Sequence, residues 1–135
     1  MGATRVSLRH LVARRQGKLC FLPPADIDSV VAKRNYVVIH ARGRTYSTRW
    51  TMKDAEAALE PFSFVRVHRS ILLNLAHVRT IERTSPGRYL FTLNDGRTHV
   101  SGRNYSRQMR ELLTNPVGRP QQGERGKYFS GTSRQ

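Results

Sequence analysis

Phe64-Val65-Arg66-Val67-His68-Arg69-Ser70-Ile71-Leu72-Leu73-Asn74 sets a His-Arg-Ser triplet between two apolar runs. The surrounding chain reads as short strands separated by turn signals, so the two runs are scaffold and the triplet is a set of exposed hydrogen-bond donors. The protein carries a formal net charge of +15. Donors held on an apolar scaffold in so basic a chain suggest a surface that grips a polyanion and reads something on it.

Working outward, the pattern is mainly β. Val6–Val12 partly alternates and reads as a first strand, and Gln16-Gly17 turns it into Lys18–Leu22. Pro23-Pro24 ends that strand, because proline cannot donate to a ladder. Asp26-Ile27-Asp28 leads into a strand at Val30–Ala32, followed by an exposed turn at Lys33-Arg34-Asn35. Tyr36–His40 and Thr45–Trp50 are β-rich runs joined by a four-residue hairpin, Ala41–Arg44. Thr51 then caps a short helix, with Asp54 completing a capping pattern and Met52, Ala55 and Leu59 forming its apolar face. Pro61 stops it.

Beyond Asn74 the alternation resumes. Val78–Arg83 reads as a strand, and Ser85-Pro86-Gly87 turns it into Arg88–Leu93, where Tyr89, Phe91 and Leu93 share a face. Asn94-Asp95-Gly96 is a strong hairpin turn into Arg97–Ser101. Gly102 breaks that strand and a final helix follows. Tyr105, Met109, Leu112 and Leu113 lie on one side of it, and Arg103, Arg107 and Arg110 on the other. After Asn115 apolar content almost vanishes, and residues 116–135 read as a flexible basic tail.

Bulk properties narrow the class. A chain of 135 residues forms one domain and buries a real core without disulfides. No apolar run approaches the ~20 residues that cross a bilayer, and the first residues lack a secretory pattern. Met1-Gly2 resembles a myristoylation signal, but the required Ser or Thr is replaced by Val6. The expectation is a cytoplasmic protein without membrane insertion. Cys20, alone and within an apolar run, reads as a packed thiol. Residues 21–115 carry 15 Lys and Arg against 8 Asp and Glu, and residues 1–20 carry five basic residues and no acid. A basic core with basic ends is the footprint of a nucleic-acid binder, although a generic attraction to anions gives the same charge.

Taken in order, Ile27-Asp28-Ser29-Val30, Asn35-Tyr36-Val37, Tyr46 with Arg49, Thr51-Met52-Lys53, Phe64–Ser70 with Asn74, and Val100-Ser101 with Arg103-Asn104-Tyr105 carry a resemblance. The chain resembles the LytTR DNA-binding domain of bacterial transcription regulators (the LytR/AlgR family) across roughly residues 5–115, with residues 1–4 a flexible N-terminus. The resemblance implies an elongated antiparallel multi-sheet β fold of about ten strands, with one short internal helix and one C-terminal helix. It implies that loops, not a recognition helix, read successive major grooves of double-stranded DNA, two copies occupying paired sites.

Three positions match the base-reading loops of the family: Asn35, Arg69 and Arg103. Arg pairs bidentately with guanine O6 and N7, and Asn with adenine N6 and N7. Lys33, Arg34, Ser70 and Arg107 then reach phosphates and fix the register. His68 either donates to a phosphate or buttresses its loop through a backbone hydrogen bond. Asn74 reads as a turn cap rather than a base reader. Family members commonly carry Gly before the Asn-Tyr pair, where this chain has Arg34. Residues 1–25 contain no acid and so no phosphoacceptor pocket. The expectation is a stand-alone regulator, or a fragment whose receiver or sensor domain lies elsewhere.

Other functions lose ground. The five histidines have no metal-ligand spacing, and there is no P-loop, G-x-G-x-x-G or C-x-x-C, so neither an enzyme, a metal site nor a cofactor is expected. An RNA-binding β-domain would need an aromatic platform, for which Tyr36, Tyr46, Trp50, Tyr89 and Phe91 are candidates, although their alternation suits a core better. A basic module that docks an acidic partner protein is the third reading.

Overall fold

Seven strands form one antiparallel sheet in the first of two units of the computed structural model, which describes residues 11–114. They are β1 (Leu11–Arg15), β2 (Lys18–Leu22), β3 (Ile27–Ala32), β4 (Val37–Ala41), β5 (Arg44–Thr48), β6 (Phe64–His68) and β7 (Ile71–Asn74). Their order across the sheet is β2-β1-β5-β4-β3-β7-β6. Helix α1 (Met52–Leu59) packs against β3, β6 and β7. Its Met52, Ala55 and Leu59 join Leu22, Ile27, Val30, Ile39 and Leu72 in the core. Burying such an aliphatic side chain stabilises the fold by roughly 1.5–3 kcal/mol. The capping box forms as the sequence indicates. Thr51 Oγ1 accepts the Asp54 N–H at 3.0 Å, and Asp54 Oδ2 accepts the Thr51 N–H at 2.9 Å.

The second unit begins at Val78. Its strands β8 (Val78–Ser85), β9 (Arg88–Leu93) and β10 (Thr98–Val100) form an antiparallel sheet in the order β10-β9-β8. Tyr89, Phe91 and Leu93 are buried together on one face, as their alternation requires. A 3₁₀ turn, Arg103–Tyr105, leads into α2 (Ser106–Thr114), which contacts β9 and buries Met109 completely. No helix among the described residues is long and apolar enough to cross a membrane.

Several boundaries differ from those read in the sequence. The β4–β5 connection is a two-residue turn, Arg42-Gly43, with Ala41 and Arg44 already paired. Arg42 and Gly43 take φ values of 52° and 76°, the left-handed pair that matches strand twist, and glycine makes the second of them inexpensive. Ser85 likewise pairs with Arg88, leaving Pro86-Gly87 as the turn. β3 starts at Ile27 rather than Val30, with a bulge between Ile27 and Ser29. Asp28 and Ser29 are buried there because Ser29 Oγ donates to Asp28 Oδ1 at 2.9 Å. β1 continues to Arg15. The beginning of the expected first strand (residues 6–10), the N-terminal residues 1–4 and the expected tail (116–135) lie outside the described residues. Cys20 packs against the core while Leu19 and Phe21 on either side are exposed.

Candidate nucleic-acid interface

Two hairpin tips stand side by side at one end of the seven-stranded sheet. The first joins β3 to β4: the Lys33 N–H donates to the Tyr36 carbonyl at 2.8 Å, so Arg34 and Asn35 form the tip. Both are exposed. Among the described residues the non-glycines with positive φ are Gln16 and Arg42, so Arg34 turns the chain without the conformation that calls for glycine. The second tip, Arg69-Ser70, joins β6 to β7, with His68 paired to Ile71. β3 and β7 are neighbours, and the Ala32 N–H donates to the Ser70 carbonyl at 2.9 Å. That bond ties one tip to the base of the other. It brings Lys33, Arg34 and Asn35 together with His68, Arg69 and Ser70.

The second tip is braced from several sides. His68 Nδ1 accepts the Ser70 N–H at 3.0 Å. This is a backbone hydrogen bond of the kind the buttress reading of His68 describes, and with Nδ1 as acceptor a neutral ring carries its proton on Nε2. Arg66, half-buried on β6, donates from Nε to the His68 carbonyl at 3.1 Å and from Nη2 to the Arg69 carbonyl at 2.5 Å. Its Nη1 reaches Glu56 Oε1 on α1 at 2.9 Å. Sequence reading passed over Arg66, because its partners are main-chain carbonyls and a residue on a separate helix. The available signal was its place two residues before His68, flanked by Val65 and Val67 in a strand.

Arg103 belongs to the second unit. Ser101 is buried and doubly tied to Tyr89: its N–H donates to the Tyr89 carbonyl at 2.9 Å, and its Oγ accepts the Tyr89 N–H at 3.0 Å. The Tyr105 N–H donates to the Gly102 carbonyl at 3.0 Å and closes the turn that exposes Arg103. Arg107 is exposed one helical turn further on. These two residues share an element boundary.

Among the described residues, ion pairing sets three arginines apart from the candidate cations, which share their unpaired state with others such as Arg44, Arg79 and Arg110. Arg42 is paired with Asp26, Arg66 with Glu56 and Arg97 with Asp95. The Arg42 guanidinium is held above its ordinary pKa, chiefly by the hydrogen bond to Asp26. Lys33, Arg34, Arg69, Arg103 and Arg107 have no such partner among the described residues. The two asparagines differ in the same way. Asn74 is buried, with Oδ1 accepting from Ser63 Oγ at 2.8 Å and the Ala76 N–H at 2.9 Å, and Nδ2 donating to Ile27 O at 2.9 Å and Pro24 O at 3.5 Å. Every polar valence of Asn74 is used internally, whereas the exposed Asn35 amide is uncommitted.

The five aromatic candidates for a platform are mostly interior. Tyr46, Tyr89 and Phe91 are buried and Trp50 packs against the core, leaving Tyr36 exposed.

Comparison with known proteins agrees with this architecture. The family model of the LytTr DNA-binding domain matches residues 17–114. The transcriptional regulatory protein LytR of Staphylococcus aureus is 24% identical over 96 residues, covering 71% of this chain and 39% of that protein. The sensory transduction protein LytT of Bacillus cereus is 30% identical over 88 residues, covering 65% of this chain and 36% of that protein. The chain thus spans well under half the length of these relatives. The solved LytTr DNA-binding domain of a putative methyl-accepting/DNA response regulator from Bacillus cereus superposes with a TM-score of 0.73 at 21% identity, over 78% of this chain and 97% of that one.

Proposed function

The chain belongs to the LytTr DNA-binding domain family, and we propose that it binds double-stranded DNA sequence-specifically as part of a bacterial transcription regulator. Asn35, Arg69 and Arg103 read base edges in successive major grooves, using the bidentate geometries open to asparagine and arginine. Lys33, Arg34, Ser70 and Arg107 hold phosphates and fix the register, and His68 joins them through its Nε2–H. Two copies occupy paired sites in the cytoplasm, either as a stand-alone regulator or alongside a receiver or sensor domain carried elsewhere.

The observation that carries this reading is the bond from Ala32 to Ser70, which sets two tips side by side with Asn35 and Arg69 uncommitted. Donors that have no internal partner and sit on hydrogen-bonded turns are available to a ligand at little cost in ordering. The ligand they suit is an anion with a hydrogen-bonding edge. Burial of Tyr46, Tyr89 and Phe91 weighs against a stacking surface for single-stranded RNA.

Selection from a random duplex library, followed by salt titration on the selected duplex, a random duplex and single strands, tests the proposal. A duplex binder that neutralises about 5–8 phosphates loses affinity with a log–log slope of about −5 to −7. Failure of any duplex sequence to enrich, or tighter binding to single strands, would refute it.

A further inference from the structure

The structure assigns Arg66 as the positioning residue for the Arg69 tip, and this inference rests on the base-reading role proposed for Arg69. Two nitrogens of the Arg66 guanidinium hold the tip and the third anchors it to α1. Nε and Nη2 take the successive carbonyls of His68 and Arg69, at 3.1 and 2.5 Å, while Nη1 is held by Glu56 at 2.9 Å. A bulge in the β6–β7 register between Arg66 and His68 accompanies this arrangement. Such bulges re-aim the residues that follow them. The planar fork reaches acceptors on two sides, and an ammonium group has no comparable fixed geometry.

Both main-chain groups of Ser70 are also engaged. The Ser70 N–H goes to His68 Nδ1 at 3.0 Å, and the Ser70 carbonyl accepts from Ala32 at 2.9 Å. With the His68 and Arg69 carbonyls held by Arg66, the backbone beneath the Arg69 side chain is fixed by hydrogen bonds from β3 and β6, and Glu56 on α1 anchors Arg66 itself. Arg66 itself is not aimed at a ligand: its side chain is 18% exposed and its nitrogens are committed to the protein. It therefore adds no phosphate contact. Its contribution to binding is the orientation of Arg69, which counts only where a base is being read.

The test uses Arg66→Lys, which keeps the charge and the stem, and Glu56→Gln, which loosens the guanidinium from α1 without touching β6. Two readouts are taken on the full chain. The first is the backbone order parameter of Arg69 and Ser70 by NMR relaxation in the free protein. The second is the ratio of affinities for selected and random duplexes, measured alone and in an Arg69→Ala background. Arg66→Lys is expected to lower the order parameters at the tip and the affinity ratio by roughly tenfold. Affinity for random duplex and the salt slope are expected to stay within experimental error. Glu56→Gln is expected to act in the same direction and more weakly. In the Arg69→Ala background the Arg66→Lys effect is expected to fall below about twofold, because residues that act through one another are not additive.

Three results would overturn the assignment: an unchanged ratio in a parent chain that does discriminate, a salt slope reduced by about one, or effects of the two substitutions that multiply. A parent chain that discriminates no duplex overturns the base-reading proposal and the specificity role of Arg66 together. That pattern is distinct from failure of Arg66 alone.

Discussion

Asn74 Nδ2 donates to the Ile27 carbonyl at 2.9 Å and so fastens the end of β7 to the start of β3. Its other polar atom accepts from Ser63 and Ala76. Asn74→Ala would take this donor from the buried Ile27 carbonyl and the shared acceptor from Ser63 and Ala76, at an expected cost of about 1–3 kcal/mol in stability. Urea denaturation would register this as a lower midpoint at unchanged slope. DNA affinity of the folded fraction should not change. An unaltered midpoint would mean that the amide is idle.

At the tips the expectation is reversed. Asn35→Ala, Arg69→Ala and Arg103→Ala should each cost about 1–3 kcal/mol against the selected duplex and little against random duplex, with no change in thermal midpoint. Arg107→Ala should weaken both duplexes alike and reduce the salt slope by about one. Equal losses on both duplexes for all four variants would remove the base-reading assignment and leave a non-specific binder.

Removal of the helix cap offers a control at a distance from the tips. Thr51→Ala deletes the acceptor of the Asp54 N–H and should cost about 1 kcal/mol. Differential scanning calorimetry should show the loss while the affinity ratio for selected over random duplex stays constant. A drop in that ratio would mean that α1 transmits its ordering to the tip through Glu56.

Acid should erase one small contribution. The Asp95 carboxyl is held below the usual carboxylate range by the Arg97 side chain, then by the Arg97 N–H. A folded-state value below the unfolded one means that the contribution is present above the ordinary aspartate pKa of about 3.9. It is lost as the pH falls through the lower folded value. Asp95→Asn keeps an acceptor for the Arg97 N–H, so the difference from the parent isolates the charge. The pair is exposed, and a gap of about one or two degrees in melting temperature is expected at pH 7 and low salt. It should close in 1 M salt and in acid. A gap that survives at low pH would assign the effect to turn geometry.

What the sequence exposed and what it hid follow from the range of the interactions. The alternation of Tyr89, Phe91 and Leu93 and the capping pair of Thr51 and Asp54 are local, and all five residues behave as their spacing requires. Tip residues Asn35 and Arg69 were recognisable as exposed donors for the same reason. Their adjacency was not recognisable, because it depends on β3 pairing with β7, strands that are distant in the chain. The early start of β3 was hidden by Asp28 and Ser29, polar residues that satisfy each other in the interior. The two-residue turn at Arg42-Gly43 was hidden because Arg42 takes a positive φ that its residue type does not advertise. Arg66 looked like one more cation in a basic chain until its acceptors were located.

The Arg69-Ser70 turn is gripped through the carbonyls of His68, Arg69 and Ser70 and the Ser70 amide. None of those atoms belongs to the side chain at position 69. Exchange of that side chain for another leaves the frame intact, so under the base-reading role proposed for Arg69 a lineage built on this frame drifts from one operator to another by a single codon. Novelty of this kind begins at the outermost atoms, without passing through unstable intermediates.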